Sequence, residues 1–198
     1  MIPVDEAVLK SLENSGTKIK MNFRKANLTD LDAIDRIYDE VHEAEENGIM
    51  TIGWIRGVYP TRKTAKESIL RGDMFVLEEE GEILGAAIIN RTQVDVYSNA
   101  TWEYDSDAVC VLHTLVISPQ ASGEGYGRAF VEFYERWAEE QSLLELRLDT
   151  NARNTVARAM YHKLGYKEIG IVPTTFNGIP GVDLVLLEKN LGGEYRRN

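Results

Sequence analysis

Three alternating glycines mark the segment most able to bind a charged ligand. Gly123, Gly125 and Gly127 directly follow an apolar run, and an amphipathic helical pattern begins beside them. A strand, a glycine-rich turn and a helix in this order leave backbone N–H groups without partners at the positive end of the helix dipole. The segment therefore predicts a site for a phosphate group.

Two known phosphate-binding motifs do not fit this turn. A P-loop ends in Gly-Lys-Ser/Thr, whereas this chain has Gly127, Arg128 and Ala129. The dinucleotide-binding pattern G-x-G-x-x-G requires a third glycine, and the two possible frames place Phe130 or Arg128 there. The remaining interpretation is a pyrophosphate held by successive N–H groups of the strand–turn–helix corner.

The spacing of apolar residues predicts the elements that position this turn. Strands are predicted at residues 19–24, 74–78, 83–90, 108–117, 144–148, 166–172 and 182–188. Helices are predicted to begin near Thr29, at the capping-box pattern Thr64-Ala-Lys-Glu67, beside Gly127 and near Asn154. The order β-α-α-β-β-β-α-β-α-β-β mixes hairpins with crossovers, which favours a mixed sheet with helices on both faces.

The segments between these elements are predicted to be loops or extensions. Residues 91–107 and 173–181 are expected to form loops, and residues 4–12 a short helix. The helix after the glycines has an apolar face, predicted to consist of Tyr126, Phe130, Phe133, Tyr134 and Trp137. Glu132 and Arg136 are predicted to form an ion pair on its opposite face.

Composition excludes several classes of protein. With 198 residues, 43% of them hydrophobic, the chain can bury one core. The net charge of −10 argues against binding nucleic acid through a basic surface. An acidic surface can favour a cationic amine or basic peptide, although acidic charge also simply keeps proteins in solution. The single Cys110 excludes a disulfide framework and a cysteine-based zinc site, so no metal is expected.

The location of the protein is predicted from two features of the sequence. There is no apolar run of the roughly 18 residues that a membrane helix needs. The N-terminus carries Asp5, Glu6 and Glu13 in place of the basic end of a secretory signal. We therefore expect a cytoplasmic protein that does not bind a membrane.

Two motifs together resemble the GNAT superfamily of acyl-CoA-dependent N-acyltransferases. The first is Leu115-Val-Ile-Ser-Pro119 followed by Ser122-Gly-Glu-Gly125-Tyr-Gly127. The second family motif, N-x-x-A-x-x-x-Y-x-x-x-G-F/Y, is matched throughout by Asn154, Ala157, Tyr161, Gly165 and Tyr166. The resemblance covers about residues 21–190. One position departs from it, because Ser122 stands where the family has Gln or Arg; backbone amides do most of the binding at this turn in the family.

The resemblance implies a fold and a division of the chain. The expected fold is α/β (mixed α+β), with a mostly antiparallel central sheet and helices on both faces. The sheet is expected to be splayed between two central parallel strands, residues 111–117 and 144–148. Residues 20–190 would form the acetyltransferase domain, residues 1–19 an N-terminal extension and residues 191–198 a polar tail.

The resemblance also implies acetyl-CoA as co-substrate. The N–H groups of residues 122–127 would hold its pyrophosphate, and the edge of residues 115–117 would pair with its pantetheine arm as an added strand. Asn154 would contact the pantetheine, although it could equally be a helix N-cap. The expected cofactor-binding residues are Leu115, Val116, Ile117, Ser122, Gly123, Glu124, Gly125, Tyr126, Gly127, Arg128 and Asn154.

The catalytic candidates are Tyr161, Asp149 and His113. The resemblance implies that Tyr161 is the general acid, although it also lies on an apolar helix face and could belong to the core. Asp149 lies five residues before Asn154, where some family members have a catalytic glutamate. His113 has a suitable pKa for a base or water relay, but a buried, hydrogen-bonded histidine is an equal alternative. Cys110 is interpreted as a core residue.

The acceptor site is expected between the loops 47–60, 91–107 and 173–181. Trp54, Tyr59, Trp102 and Glu103 are its candidate residues, because aromatic rings beside acids suit a cationic amine. The chain is thus predicted to transfer an acetyl group to a primary amine of a small molecule or peptide, by direct attack on the thioester. A homodimer is common in the family. The alternative is a catalytically inactive acyl-CoA sensor.

Overall fold

The structure, a computed structural model, describes residues 21–192 and contains one seven-stranded sheet. The strands are β1 (Asn22–Lys25), β2 (Met74–Glu79), β3 (Glu82–Asn90), β4 (Val109–Ile117), β5 (Glu145–Asn151), β6 (Lys167–Phe176) and β7 (Ile179–Asn190). They lie in the order β1-β2-β3-β4-β5-β7-β6. Only β4 and β5 pair in parallel, as expected for the fold class. The predicted helix at residues 4–12 and the extension 1–19 lie outside the described residues.

Four helices cover the two faces of the sheet. They are α1 (Leu31–Glu46), α2 (Arg62–Arg71), α3 (Tyr126–Glu140) and α4 (Thr155–Lys163). α1 and α2 pack on one face through a core that contains Ile34, Tyr38 and Met74. α3 and α4 pack on the other face around Phe130 and Leu146. The order of elements and the two-faced packing confirm the predicted architecture.

The beginnings of α1 and α2 differ from the prediction. Asn27, not Thr29, forms the capping box that precedes α1, and its partner is Asp30. α2 begins three residues earlier than predicted, because Thr61 Oγ1 accepts a hydrogen bond from the N–H of Thr64 and the N–H of Thr61 donates one to Thr64 Oγ1. The pattern from Thr64 to Glu67 predicted Thr64 as the N-cap, whereas Thr64 is the third residue of the helix.

The predicted loop 173–181 is wrong for most of its length, because β6 and β7 continue through it. Phe176 pairs with Ile179, so the hairpin turn consists only of Asn177 and Gly178. Both turn residues have positive φ, 51° and 80°. An Asn-Gly pair suits this two-residue turn, whose twist matches that of the flanking strands. This signal is present in the sequence, although Pro173 and Gly181 predicted a longer loop.

α3 buries a slightly different face from the predicted one. Phe130, Val131, Tyr134 and Ala138 are its buried residues, while Tyr126, Phe133 and Trp137 are only partly buried against the same core. Glu132 forms its ion pair with Arg128 at 2.8 Å, where a pair with Arg136 was predicted. Both spacings are equally compatible with a helix surface, so the sequence could not choose between them.

Candidate active site

A split in the sheet opens a cavity between β4 and β5. Their parallel pairing joins residues 109–112 to residues 145–148 and stops there, although both strands continue. A cavity of about 1100 Å³ occupies the opening. It is lined by residues of α2 on one face and of α4 on the other. Pockets for one ligand usually measure roughly 300–1,000 Å³, so this cavity has room for two reactants.

The glycine-rich turn lies at one end of the cavity with its amides open. Gly123 and Gly125 have φ of 90° and 87°, a conformation that residues with a Cβ rarely adopt. α3 begins directly after Gly125 without a side-chain cap. Within residues 21–192, no protein group accepts a hydrogen bond from the N–H groups between Gly123 and Arg128. The N–H of Ser122 is occupied, since it donates to Pro119 O at 3.2 Å.

The unpaired end of β4 borders the same opening. The N–H of Ser118 donates to Leu84 O on the β3 side at 2.8 Å. Because main-chain groups alternate in direction along a strand, those of Ile117 and Leu115 turn toward the opening. The side chains of Leu115 and Ile117 also line the cavity. That of Val116 does not, because it is buried in the core under α1 and α2.

The remaining predicted cofactor-binding residues divide into two groups. Tyr126, Gly127 and Arg128 line the cavity beside the glycine turn, whereas the Glu124 side chain is exposed outside it. Asn154 lines the cavity and also caps α4, because its Oδ1 accepts a hydrogen bond from Ala157 N at 3.1 Å. The cap uses only the Asn154 oxygen. Its side-chain NH₂ stays available to a ligand, so the two alternative roles are compatible.

Asp149 supplies a carboxylate to the wall of the cavity. It follows Leu148, the last residue of β5 that pairs with β4, and its side chain is half-buried. Burial raises its pKa to about 6, while a hydrogen bond from Tyr97 Oη, at 2.8 Å from Asp149 Oδ2, acts in the opposite direction. A carboxyl with a pKa near 6 is ionised at neutral pH and can still accept a proton.

Two tyrosine hydroxyls approach Asp149 from different elements. Tyr161 of α4 lines the cavity, and burial followed by the charge of Asp149 raises its pKa above the usual value. Tyr59 lies on the segment between α1 and α2, and its hydroxyl forms a short hydrogen bond with Thr114 Oγ1. Burial raises the pKa of Tyr59 to about 12, with a contribution from Asp149. Both hydroxyls therefore remain protonated and can act as donors.

His113 lines the cavity near the end of the paired part of β4. Its Nε2 lies 3.0 Å from Thr92 O and 3.2 Å from Asn90 Oδ1. We assign the proton to Nε2 because a carbonyl oxygen can only accept, which leaves Nδ1 as an acceptor. Burial lowers the pKa of His113, so the ring is neutral at pH 7. The geometry is compatible with both a relay and a structural role.

Two segments close the acceptor end of the cavity. Trp54 and Tyr59 line it, with their rings edge-to-face at 6.1 Å. Residues 47–60 are fixed over β5 at Gly53, where a Cβ would lie 2.3 Å from the side chain of Asn151. Gly53 also has a positive φ of 84°, a conformation that favours glycine. The hairpin turn of β6 and β7 meets the same segment, because a Cβ at Gly178 would lie 3.4 Å from Val58 Cγ1.

The structure places Trp102 and Glu103 away from the cavity, contrary to the prediction. The Trp102 ring packs over the guanidinium group of Arg147 at 4.1 Å. Glu103 forms a salt bridge with Lys167 at the surface, and its N–H donates to the Glu188 carboxylate at 2.9 Å. Residues 91–107 therefore cover the polar face of β5. The alternation of apolar and polar residues around Leu146 predicted the strand. It did not predict that the polar side of this strand is also covered by protein.

Sequence reasoning assigned loops 91–107 and 173–181 to the acceptor site but did not identify which of their residues reach it. Tyr97, which contacts Asp149, precedes it by 52 positions. Phe176 and Asn177 reach the cavity because the hairpin is longer than predicted. The Asn-Gly turn signal could have located these two, whereas no pattern in the sequence pairs Tyr97 with Asp149.

Neither a metal cluster nor a membrane-spanning helix is found within the described residues. Among residues 21–192, no group of three or more His, Cys, Asp or Glu side chains is arranged to hold a metal ion. None of the helices described is both long and apolar enough to cross a membrane. The buried thiol of Cys110 lies in the core, where burial raises its pKa to about 12.

Comparisons with known proteins agree with this geometry. The model of the Acetyltransferase (GNAT) family matches residues 34–166. Streptothricin acetyltransferase of Escherichia coli is 30% identical over 105 residues, which cover 53% of this chain and 58% of that protein. The match therefore spans less than two thirds of that relative's length.

Solved structures share the fold over most of the chain. A GNAT family acetyltransferase from Streptococcus agalactiae has a TM-score of 0.72 and 26% identity, covering 86% of this chain and 95% of that one. A Salmonella typhimurium protein, solved with its cofactor acetyl-CoA, has a TM-score of 0.65 and 16% identity. That alignment covers 90% of this chain and 98% of the other.

Proposed function

Since the chain belongs to the acetyltransferase (GNAT) family, we propose that it transfers the acetyl group of acetyl-CoA to a primary amine of a small molecule. The observation that carries the proposal is one continuous cavity. It joins the open amides between Gly123 and Arg128 to the carboxylate of Asp149 and the hydroxyl of Tyr161.

The donor end of the cavity fits acetyl-CoA. Successive free N–H groups between Gly123 and Arg128 at the start of α3 would hold its pyrophosphate, because the helix dipole favours negative charge there. The outward main-chain groups of Leu115 and Ile117 would pair with the pantetheine amides, and the Asn154 NH₂ group would add a hydrogen bond. When bound, acetyl-CoA supplies the thioester from which the acetyl group leaves.

Proton transfers would be divided between two side chains. The acceptor would lose its first proton to water and attack as the neutral amine, and Asp149 would accept the second proton, which the nitrogen loses as the N–C bond forms. Tyr161 would donate to the sulfur as the C–S bond breaks, because its hydroxyl stays protonated throughout the working pH range. His113 is the alternative base, although its Nε2 is already held by Thr92. No covalent enzyme intermediate is needed.

The closed acceptor end favours a small molecule over a peptide. The segment 47–60 and the hairpin turn at Gly178 meet above the cavity, so an extended peptide would have to separate them. Apolar and aromatic side chains, among them Trp54 and Phe176, line this end beside Asp149. The related E. coli protein, named for streptothricin, also supports a small-molecule acceptor.

Thiol release from acetyl-CoA tests the proposal. The rate is measured with streptothricin, 2-phenylethylamine and spermidine, and with a peptide that has a free N-terminal alanine. We expect release to depend on at least one of the small amines and to be slow with the peptide. Acceleration by the peptide alone would contradict the small-molecule acceptor. Binding of acetyl-CoA without any amine-dependent release would instead support the sensor alternative.

The substitution Tyr161→Phe tests the general acid. We expect kcat to fall about 10²-fold, because the leaving sulfur loses its proton donor while the ring still fills the core. The affinity for acetyl-CoA, measured by calorimetry, should stay within about twofold of the wild-type value. An unchanged kcat would remove Tyr161 from this role.

A further inference from the structure

Tyr97 approaches Asp149 from behind the cavity wall. It lies in the 3-10 turn Asp95–Asn99, is only 2% exposed and does not line the cavity. Its hydroxyl donates to Asp149 Oδ2 at 2.8 Å. The other carboxylate oxygen, Oδ1, is not engaged by Tyr97. One oxygen of the carboxylate is thus held by the protein on the side away from the reactants.

We infer that Tyr97 is a positioning residue, whose hydroxyl fixes one oxygen of Asp149, directs the other toward the acceptor amine and stabilises the carboxylate form. The inference rests on the proposed role of Asp149 as base. Tyr97 itself would touch neither substrate. Its effect on the reaction is transmitted through Asp149 alone.

The protein holds Tyr97 rigidly in this place. Trp102 Nε1 donates to the backbone oxygen of Tyr97 at 2.9 Å, and the two rings pack at 5.2 Å. The same Trp102 ring covers Arg147. Arg147 is buried in turn and donates to Tyr104 O at 2.6 Å. Thr92 and Val94 of the segment 91–107 line the cavity, whereas Tyr97 and Trp102 of the same segment lie behind the cavity wall and support the carboxylate of Asp149.

The groups around Asp149 are uncharged, so a hydroxyl that donates to its carboxylate should have a clear effect on its pKa. Tyr59 faces it from the segment 47–60, Tyr161 from α4 and His113 lies on the adjacent strand β4. The pKa values of Tyr59 and Tyr161 are raised and that of His113 is lowered, chiefly by burial, so all three are neutral at pH 7. The positive charge of Arg147 acts on the Tyr97 hydroxyl, where it opposes the rise in pKa that burial causes.

Because the surrounding groups are neutral, burial is the main effect that disfavours the charged form of Asp149. Burial raises the pKa of Asp149 to about 6 even with the Tyr97 hydrogen bond present. Without this bond, the charged form loses a stabilising donor, and the pKa of Asp149 should rise further. The proposed base would then be ionised only at a higher pH.

The substitution Tyr97→Phe tests this inference through the pH profile of kcat/KM. The rate should rise with pH as the base ionises, and the midpoint should move upward by about one pH unit in the variant. At pH 6 we expect kcat/KM to fall several-fold, and at pH 8.5 by less than twofold. The acceptor amine's own ionisation is identical in both proteins, so it cancels in the comparison.

Tyr134→Phe is the matched control. Tyr134 is also fully buried, and its hydroxyl donates to a backbone oxygen, that of Cys110, at 2.6 Å. The control should lose a similar amount of thermal stability but keep the pH midpoint of the wild type. A shift of equal size in Tyr134→Phe would show a general effect of packing and would overturn the inference.

The carboxyl resonance of Asp149, followed by ¹³C NMR in the enzyme without substrates, separates the two proposals. A raised pKa of Asp149 in Tyr97→Phe together with a shifted kinetic midpoint supports both. A raised pKa with an unchanged kinetic midpoint supports the Tyr97 contact but contradicts Asp149 as base. An unchanged pKa of Asp149 overturns the inference.

A second variant covers the case in which Tyr97→Phe does not fold. Trp102→Phe removes the Nε1 hydrogen bond to the Tyr97 backbone while keeping an aromatic ring in place. We expect a smaller upward shift of the Asp149 pKa, in the same direction, because the Tyr97 hydroxyl becomes less well held. A folded Trp102→Phe protein whose Asp149 titrates as in the wild type would contradict the inference.

Discussion

The two ends of the cavity differ in the groups that line them, which are main-chain groups at one end and side chains at the other. At the proposed donor end, unpaired main-chain N–H groups between Gly123 and Arg128 and the edge of β4 would provide the binding groups. At the acceptor end, side chains converge from several separate segments. Asp149 comes from β5, Tyr59 from the α1–α2 segment and Phe176 from the β6–β7 hairpin.

This difference predicts how each end responds to substitution. A main-chain site depends on backbone conformation and tolerates changes of side chain, which is consistent with Ser122 at a position where the family has Gln or Arg. A side-chain site depends on individual groups. Changes at the acceptor end should therefore affect the rate first, and changes at the donor end should affect affinity for acetyl-CoA first.

Asp149→Asn should have the largest effect, and of the two functional quantities it should change the rate and not the affinity for acetyl-CoA. We expect kcat to fall about 10²- to 10⁴-fold, because the amide cannot accept the proton. The affinity for acetyl-CoA should hardly change if the two ends are independent. A fall in kcat of less than tenfold would transfer the role of base to His113.

The same variant should also change thermal stability in a pH-dependent way. Burial raises the folded-state pKa of Asp149 to about 6 from its ordinary 3.8. A raised pKa favours folding at low pH, and this contribution is lost as the pH rises through about 6. Asp149→Asn should therefore raise Tm relative to the wild type at pH 8, with a smaller difference at pH 4, in calorimetric scans.

Gly125→Val should weaken the binding of acetyl-CoA at the donor end. The positive φ of Gly125, 87°, strains any residue with a Cβ, and the turn would have to change its conformation. We expect the Kd for acetyl-CoA, measured by calorimetry, to rise at least tenfold. The free energy of unfolding should fall by about 1–2 kcal/mol.

Gly48→Val is the control for this strain at the other end of the molecule. Gly48 also has a positive φ, 71°, with open space around its Cα, and it follows α1 on the acceptor side. It should lose a similar amount of stability without weakening acetyl-CoA binding. Equal losses of affinity in both variants would contradict the division between the two ends.

Asn154→Ala should have the smallest effect. The loss of the α4 cap should lower the free energy of unfolding by about 1 kcal/mol, and the loss of the NH₂ group should raise the Kd for acetyl-CoA several-fold. Asn27→Ala removes a similar cap, in which Asn27 Oδ1 accepts from Thr29 N at 2.8 Å, far along the chain from the glycine turn. If both variants bind acetyl-CoA equally well, Asn154 is only a cap.

The sequence predicted the donor end well because its signals are local. Strand, glycines and helix are adjacent between Leu115 and Tyr134, and alternation or helical spacing shows which sides are buried. The order of elements was therefore correct throughout the described chain. The predictions were wrong at Thr64 and at residues 173–181. In each case two local signals lay close together, and the prediction followed the wrong one.

The acceptor end was predicted less well because its contacts are distant in sequence. Nothing in the composition of residues 91–107 indicates that Tyr97 supports Asp149 or that Trp102 covers Arg147. Trp54 and Tyr59 were placed correctly at the cavity, whereas Trp102 and Glu103 were not. Aromatic and acidic residues suit a binding site and a buried support equally well.

The sequence by itself determined the elements, their order and the glycine turn, because these depend on interactions between residues close along the chain. Only the tertiary structure decided that β4 and β5 separate after residues 112 and 148, which opens the cavity. It also decided which loop closes that cavity and which one supports Asp149. These outcomes depend on contacts between residues far apart in the sequence, such as the hydrogen bond from the Thr51 hydroxyl to the backbone oxygen of Arg153, 102 positions away.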